Sequence, residues 1–181
     1  DSGIEGAHRF INKLYRLVVG FVAESKTHKI PSLVPSSLNN DQKELRRKTH
    51  QSLKKVGDDI GRRHSFNTAI AAMMELNNTL SRFIDSSPQG MAVRQESIGI
   101  MLKALSPVIP HLCHHLWAAL GNSEAMIDAL WPKVDESALI QEEVQLVVQV
   151  NGKLRAKLMA PLDAKDESIQ EMVLAEEKVT R

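Results

Sequence analysis

Basic residues at helical spacing are the first pattern in this sequence that can do chemistry. Arg9, Lys13 and Arg16 stand four and then three residues apart, so at about 100° per residue they share one side of any helix that contains them. A cationic stripe of this kind can neutralise phosphates; the alternative is an ordinary solvated helix face. The densest basic stretch follows between Lys43 and Arg63, where eight Lys or Arg residues meet only three acids. Its candidates for a phosphate contact are Arg46, Arg47, Lys54, Arg62 and Arg63. Asp58 and Asp59 adjoin the last two and can instead hold them in intramolecular ion pairs. Lys153, Arg155 and Lys157 alternate with Leu154, Ala156 and Leu158, which is strand spacing. These three either face an anionic partner or protect the edge of a sheet.

A metal centre finds little support. His111 and His115 are four residues apart, a usable ligand spacing on a helix, with Cys113 and His114 between them. No carboxylate or second thiol lies near them in sequence, so structural histidines are the favoured reading and no metal ligand is assigned. Cys113 is the single cysteine, which excludes an internal disulfide. Because no nucleophile and base stand together and no glycine-rich phosphate loop is present, no catalytic residue and no cofactor are expected in this chain. The net charge of +1 argues against a uniformly basic nucleic-acid binder and leaves only local basic faces.

The elements that must position these residues can be read from apolar periodicity. Ile4, Ala7, Ile11, Leu14, Val18, Phe21 and Val22 predict a first amphipathic helix, followed by a Pro- and Ser-containing loop over 25–40. A second helix is expected from Asp41, with Glu44 completing a loose capping box and Leu45, Thr49, Leu53, Val56 and Ile60 facing inward. Ser65 is a candidate N-cap for a third, whose core side includes Phe66, Met73 and Phe83. A fourth carries Val93, Ile98, Ile100, Met101, Leu102, Ala104 and Leu105, and a fifth runs from Pro110 to about Leu120, with Gly121 as its stop. After Trp131-Pro132 the period changes to two: Val144 to Val150 and Lys153 to Met159 predict a hairpin around Asn151-Gly152, a pair suited to a type I′ turn. A short acidic helix follows over 163–177. The fold class is therefore mainly α: a bundle of four to five helices over residues 1–135, then a small ββα unit over 143–181. Two strands rarely hold a domain together alone, so this second unit reads as incomplete and the sequence as an excised piece. The early charges leave no room for a signal peptide or membrane span.

Several stretches carry a resemblance. Gly61-Arg62-Arg63-His64-Ser65-Phe66-Asn67-Thr68-Ala69-Ile70-Ala71-Ala72 resembles the helix-bundle anticodon-binding domain of the class I synthetases for leucine, isoleucine and valine. Leu105-Ser106-Pro107-Val108-Ile109-Pro110-His111, followed by Leu116-Trp117, resembles the start of that family's last long helix. Within the group, Asp1-Ser2-Gly3-Ile4-Glu5-Gly6-Ala7-His8-Arg9-Phe10 and the hairpin Val147-Val148-Gln149-Val150-Asn151-Gly152-Lys153-Leu154-Arg155-Ala156-Lys157 are similar to bacterial leucyl-tRNA synthetases.

The resemblance implies an anticodon-binding-type bundle followed by the start of a C-terminal tRNA-binding domain. It implies tRNA(Leu) and the remaining domains of the same synthetase as partners, a monomer, a cytoplasmic location and no membrane contact. Leucylation with ATP and Mg²⁺, and editing, would lie in domains outside this chain, whose sequence lacks both ATP signatures of such enzymes. Arg9 and Lys13 match basic positions of the family's first bundle helix that touch tRNA. Two alternatives stand beside this reading: the bundle of an isoleucyl- or valyl-tRNA synthetase, or a helical protein-interaction module without an RNA role.

Overall fold

The computed structural model describes residues 2–141, 143–150, 153–161 and 164–175. Five helices come first: α1 (Ser2–Ser25), α2 (Asn40–Gly61), α3 (Phe66–Arg82), α4 (Pro88–Leu105) and α5 (Pro110–Ala119). Strands β1 (Glu143–Val150) and β2 (Lys153–Pro161) and helix α6 (Asp166–Leu174) follow. The chain divides into two compact units, Asp1–Leu139 and Ile140–Arg181.

The helix starts follow local chemistry. Pro88 and Pro110 stand in the first turns of α4 and α5, where a missing N–H costs nothing. Gly121 ends the fifth helix with φ +88°, a conformation that favours glycine. The start of α2 differs from expectation. The reciprocal cap is formed by Asn39 and Gln42, not Asp41 and Glu44: Asn39 Oδ1 accepts from the Gln42 N–H at 2.9 Å and Gln42 Oε1 accepts from the Asn39 N–H at 3.0 Å. An amide side chain can both donate and accept here, and Gln42 Nε2 also donates to Asp85 Oδ2 at 2.7 Å, which ties the cap to the loop before α4.

α4 is the central rod of the bundle. Met91, Ala92, Val93, Ile98, Ile100, Met101, Leu102, Ala104 and Leu105 are all buried, so apolar residues surround the axis and do not form a stripe. Leu14, Val18 and Phe21 of α1, Leu45 and Val56 of α2, Met73, Leu76 and Leu80 of α3, and Cys113 and Leu116 of α5 complete the same core. Phe66, expected inside, is instead 49% exposed at the first residue of α3.

In the second unit β1 and β2 pair antiparallel, and α6 packs against β2. The register pairs Val150 with Lys153 and Gln149 with Leu154, then Val148 with Ala156 and Val147 with Lys157. Arg155 is thus the extra residue of a β-bulge. The strict alternation expected along β2 is therefore interrupted between Leu154 and Ala156. Asn151 and Gly152, on which the turn assignment rested, lie outside the described residues, as do the side chains of Lys153 and Lys157.

Candidate nucleic-acid interface

The α1 stripe is assembled as its spacing requires. Arg9, Lys13 and Arg16 line an open groove of about 720 Å³ together with His8, Asn12, Leu17 and Ser81. The core face of α1, carried by Phe10, Leu14, Val18 and Phe21, turns this stripe outward. Lys13 Nζ donates to Asn78 Oδ1 of α3 at 2.6 Å, so the lysine leans across the groove toward its second wall. Asn12 Nδ2 donates to the His8 carbonyl at 2.9 Å and fixes one rim. No acid lines the groove, and among the described residues no carboxylate pairs with Arg9, Lys13 or Arg16. Two exposed guanidinium groups and one tethered ammonium on one open wall can attract and hydrogen-bond anions.

The basic stretch of α2 is arranged differently. A second open groove, of about 560 Å³, is lined by Gln51, Lys54, Lys55, Asp58, Asp59, Arg62 and Arg63. Here nearly every cation has an acid. Arg62 Nε meets Asp58 Oδ1 at 2.6 Å, Arg63 Nε meets Asp58 Oδ2 at 3.0 Å, and Lys55 Nζ donates to Asp59 Oδ2 at 2.7 Å. Arg63 Nη1 also lies 3.8 Å from Asp59 Oδ1. The hydrogen bond from Arg62 holds the Asp58 carboxyl below its ordinary range, and that from Lys55 does the same for Asp59. Arg62 and Arg63 remain 75% and 60% exposed, so each can still offer its unused donors outward. The helix ends where His64 takes φ +52° and the Ser65 N–H reaches back six residues to the Asp59 carbonyl at 2.8 Å, which closes the turn.

Arg46, expected on the outer face, is buried. Its side chain is 8% exposed and forms two hydrogen bonds with Glu96 of α4, Nε to Oε2 at 2.9 Å and Nη2 to Oε1 at 3.1 Å. Nη2 donates again to Asp135 Oδ2 at 2.6 Å. Its place is explained by its spacing from Leu53: seven residues apart on a helix is a rotation of only about 20°. Lys54 Nζ, also expected outward, donates to both oxygens of Glu136 at 3.1 Å. Arg47 pairs with Glu44 one turn earlier on α2.

Sequence reasoning missed His50, which is 2% exposed, with Nε2 lying 3.3 Å from Glu96 Oε1 and Nδ1 accepting the Asp135 N–H at 3.1 Å. An acceptor at Nδ1 puts the ring proton on Nε2. Burial pushes Glu96 up, but hydrogen bonds and charge from His50 and Arg46 outweigh it and leave the carboxyl below its usual range. Hydrogen bonds from Ser137 and Arg46 lower Asp135 far more strongly.

Two of the three α5 histidines are engaged locally. His115 stacks on Tyr15 with ring centroids 6.5 Å apart, and His114 Nδ1 accepts the Met126 N–H at 3.3 Å. Burial pushes the Cys113 thiol up to about 12, far from thiolate chemistry. Among the described residues no three side chains of metal-ligating type converge, and no helix is long and apolar enough to cross a membrane.

A helical bundle with a basic groove along its first helix, followed by a ββα unit, defines a class. Residues 42–171 match the anticodon-binding domain of tRNA ligase, and the chain belongs to that family. Over all 181 residues it is 54% identical to the leucine–tRNA ligase of Ruthia magnifica and 50% identical to that of Marinobacter nauticus. It spans only 22% and 21% of those relatives' lengths. Among solved structures, 99% of the chain matches 23% of a chain in the ternary complex of Agrobacterium radiobacter LeuRS with tRNA and LeuAMS, at 29% identity and a TM-score of 0.69.

Proposed function

We propose that this chain is the tRNA-holding region of a leucine–tRNA ligase and that α1 provides its principal grip. The observation that carries the reading is the groove of Arg9, Lys13 and Arg16, where three cations share one wall and no acid among the described residues pairs with them. Phosphates entering this groove release condensed counterions and gain charge-assisted hydrogen bonds. Arg62 and Arg63 offer a second contact through their outer donors, and Arg155 a third on the hairpin bulge. Arg46 is left out because its donors are consumed inside the bundle.

In this reading the bundle over 1–135 and the unit over 143–181, the start of a C-terminal tRNA-binding domain, hold tRNA(Leu). Domains beyond this chain carry out leucylation with ATP and Mg²⁺, and editing. The complete ligase works as a cytoplasmic monomer. The contribution of this region is positional: holding the body of the tRNA keeps its acceptor end near a distant site and lowers the entropic cost of reaction. Whole-chain similarity to leucine–tRNA ligases supports the choice of leucine over isoleucine or valine. The test is aminoacylation by the full-length ligase carrying Arg9→Ala with Lys13→Ala. The expected result is a KM for tRNA raised about tenfold or more, because two charged contacts each contribute roughly 1 kcal/mol. An unchanged KM in a folded variant contradicts the assignment.

A further inference from the structure

The geometry points to Arg46, His50 and Lys54 as positioning residues that fasten the segment leading into the second unit, and not as groups that meet RNA. The three stand at i, i+4 and i+8 on α2, one continuous stripe. All three reach the same short stretch. Arg46 Nη2 donates to Asp135 Oδ2 at 2.6 Å, His50 Nδ1 accepts the Asp135 N–H at 3.1 Å, and Lys54 Nζ donates to Glu136 at 3.1 Å. The other carboxyl oxygen of Asp135 accepts from the Ser137 N–H at 2.9 Å and the Ser137 hydroxyl at 2.6 Å, which closes the turn Glu136–Leu139. Glu96 of α4 completes the cluster from behind by binding both Arg46 and His50. The second unit begins at Ile140, directly after this fastened stretch.

A buried charge cluster is a poor device for stability alone, since well-packed apolar residues of similar volume serve as well or better. What this cluster adds is direction: a carboxylate, a backbone N–H and a surface acid of one segment are each held by a different residue of one helix. Fastened, the free tether to the second unit is counted from Leu139. Released back to Trp131-Pro132, it gains about seven residues and roughly 15 Å of flexible reach, which lowers the effective concentration of one unit at a ligand held by the other.

The functional half of this inference rests on the proposed tRNA reading, while the structural half does not. The test uses full-length ligase and measures both hydrogen exchange of the amides over 133–139 and aminoacylation kinetics. Lys54→Glu should speed exchange about threefold, the scale of an exposed ion pair turned repulsive, and Asp135→Asn about tenfold or more. In both, KM for tRNA should rise by a larger factor than kcat falls. The charge exchange Lys54→Glu with Glu136→Lys should restore exchange and KM together. Unchanged exchange in Lys54→Glu and Asp135→Asn overturns the latch. Restored exchange with KM still raised in the charge-exchanged protein overturns the positioning role and assigns Lys54 to direct phosphate contact. If Arg9, Lys13 and Arg16 variants leave KM unchanged while exchange behaves as expected, the tRNA reading fails and the latch stands.

Discussion

Lys13 of α1 donates a 2.6 Å hydrogen bond to Asn78 of α3, across 65 positions of sequence. The lysine's long stem would otherwise sample many rotamers, and this bond holds its charge over the groove before any ligand arrives. In the proposed reading Asn78 therefore serves the grip without carrying charge. Asn78→Asp should convert the tether into an ion pair that consumes the lysine, weakening tRNA binding by about threefold to tenfold, equivalent to roughly 1 kcal/mol. Asn78→Ala should have a smaller effect of the same sign. Equilibrium binding at fixed salt checks both, and tighter binding by Asn78→Asp would contradict the arrangement.

The Arg46–Glu96 pair links α2 to α4, with the Arg46 side chain 8% exposed. Removing one partner leaves the other charge stranded. Arg46→Ala should destabilise the bundle by about 3 kcal/mol, and replacing both residues by apolar ones of similar volume should cost much less. Urea unfolding of single and paired variants measures the difference. Equal losses in the two cases would show that packing, not the stranded charge, sets the cost.

Acid should act through the same cluster. Glu96 and Asp135 both have folded-state values below their unfolded ones, so each contributes stability that is present above the unfolded carboxylate range, near about pH 4, and is lost as pH falls through the folded value. Thermal unfolding should give a flat Tm above about pH 5 and a decline below it. Glu96→Gln should show a lower plateau and a shallower acid decline. A Tm that rises on acidification from pH 5 contradicts the sign.

His64 holds φ +52° at the end of α2, a left-handed conformation in which a side chain is strained. Its neighbours supply the closing hydrogen bond, from the Ser65 N–H to the Asp59 carbonyl. His64→Gly should retain that bond and raise stability by about 0.5–1 kcal/mol, whereas His64→Val should lower it by more than that. Chemical denaturation of the two variants decides this, and a loss on going to glycine would mean that the imidazole itself stabilises the turn.

The helices were legible because their causes are local. Pro88 and Pro110 in first turns, Gly121 past the last one, and the apolar repeat from Leu14 to Phe21 act within a few residues, and a single sequence displays all of them. The shared side of Arg9, Lys13 and Arg16 on α1 was legible for the same reason, whereas the lack of an acid along the groove depends on α3 and was not. The burial of Arg46 is not legible locally, because its partners lie 50 and 89 positions away and a charged side chain ordinarily faces water. Its rotation close to Leu53 is the one local signal of that burial. The capping role of Asn39 was hidden by the more obvious acids at Asp41 and Glu44. The bulge at Arg155 had no marker at all, since no glycine stands at that position. Alternation alone cannot reveal where a ladder skips a residue.

The most direct test of the central claim is the salt dependence of tRNA binding by the full-length ligase, compared with a variant carrying Arg9→Ala, Lys13→Ala and Arg16→Ala. Each phosphate contact contributes about 0.7–0.9 to the slope of log affinity against log salt. The account predicts weaker binding at low salt and a slope shallower by about two to three, converging with the parent protein as salt rises. An unchanged slope with unchanged affinity, in a variant that keeps its fold, would contradict the claim that the α1 groove grips tRNA.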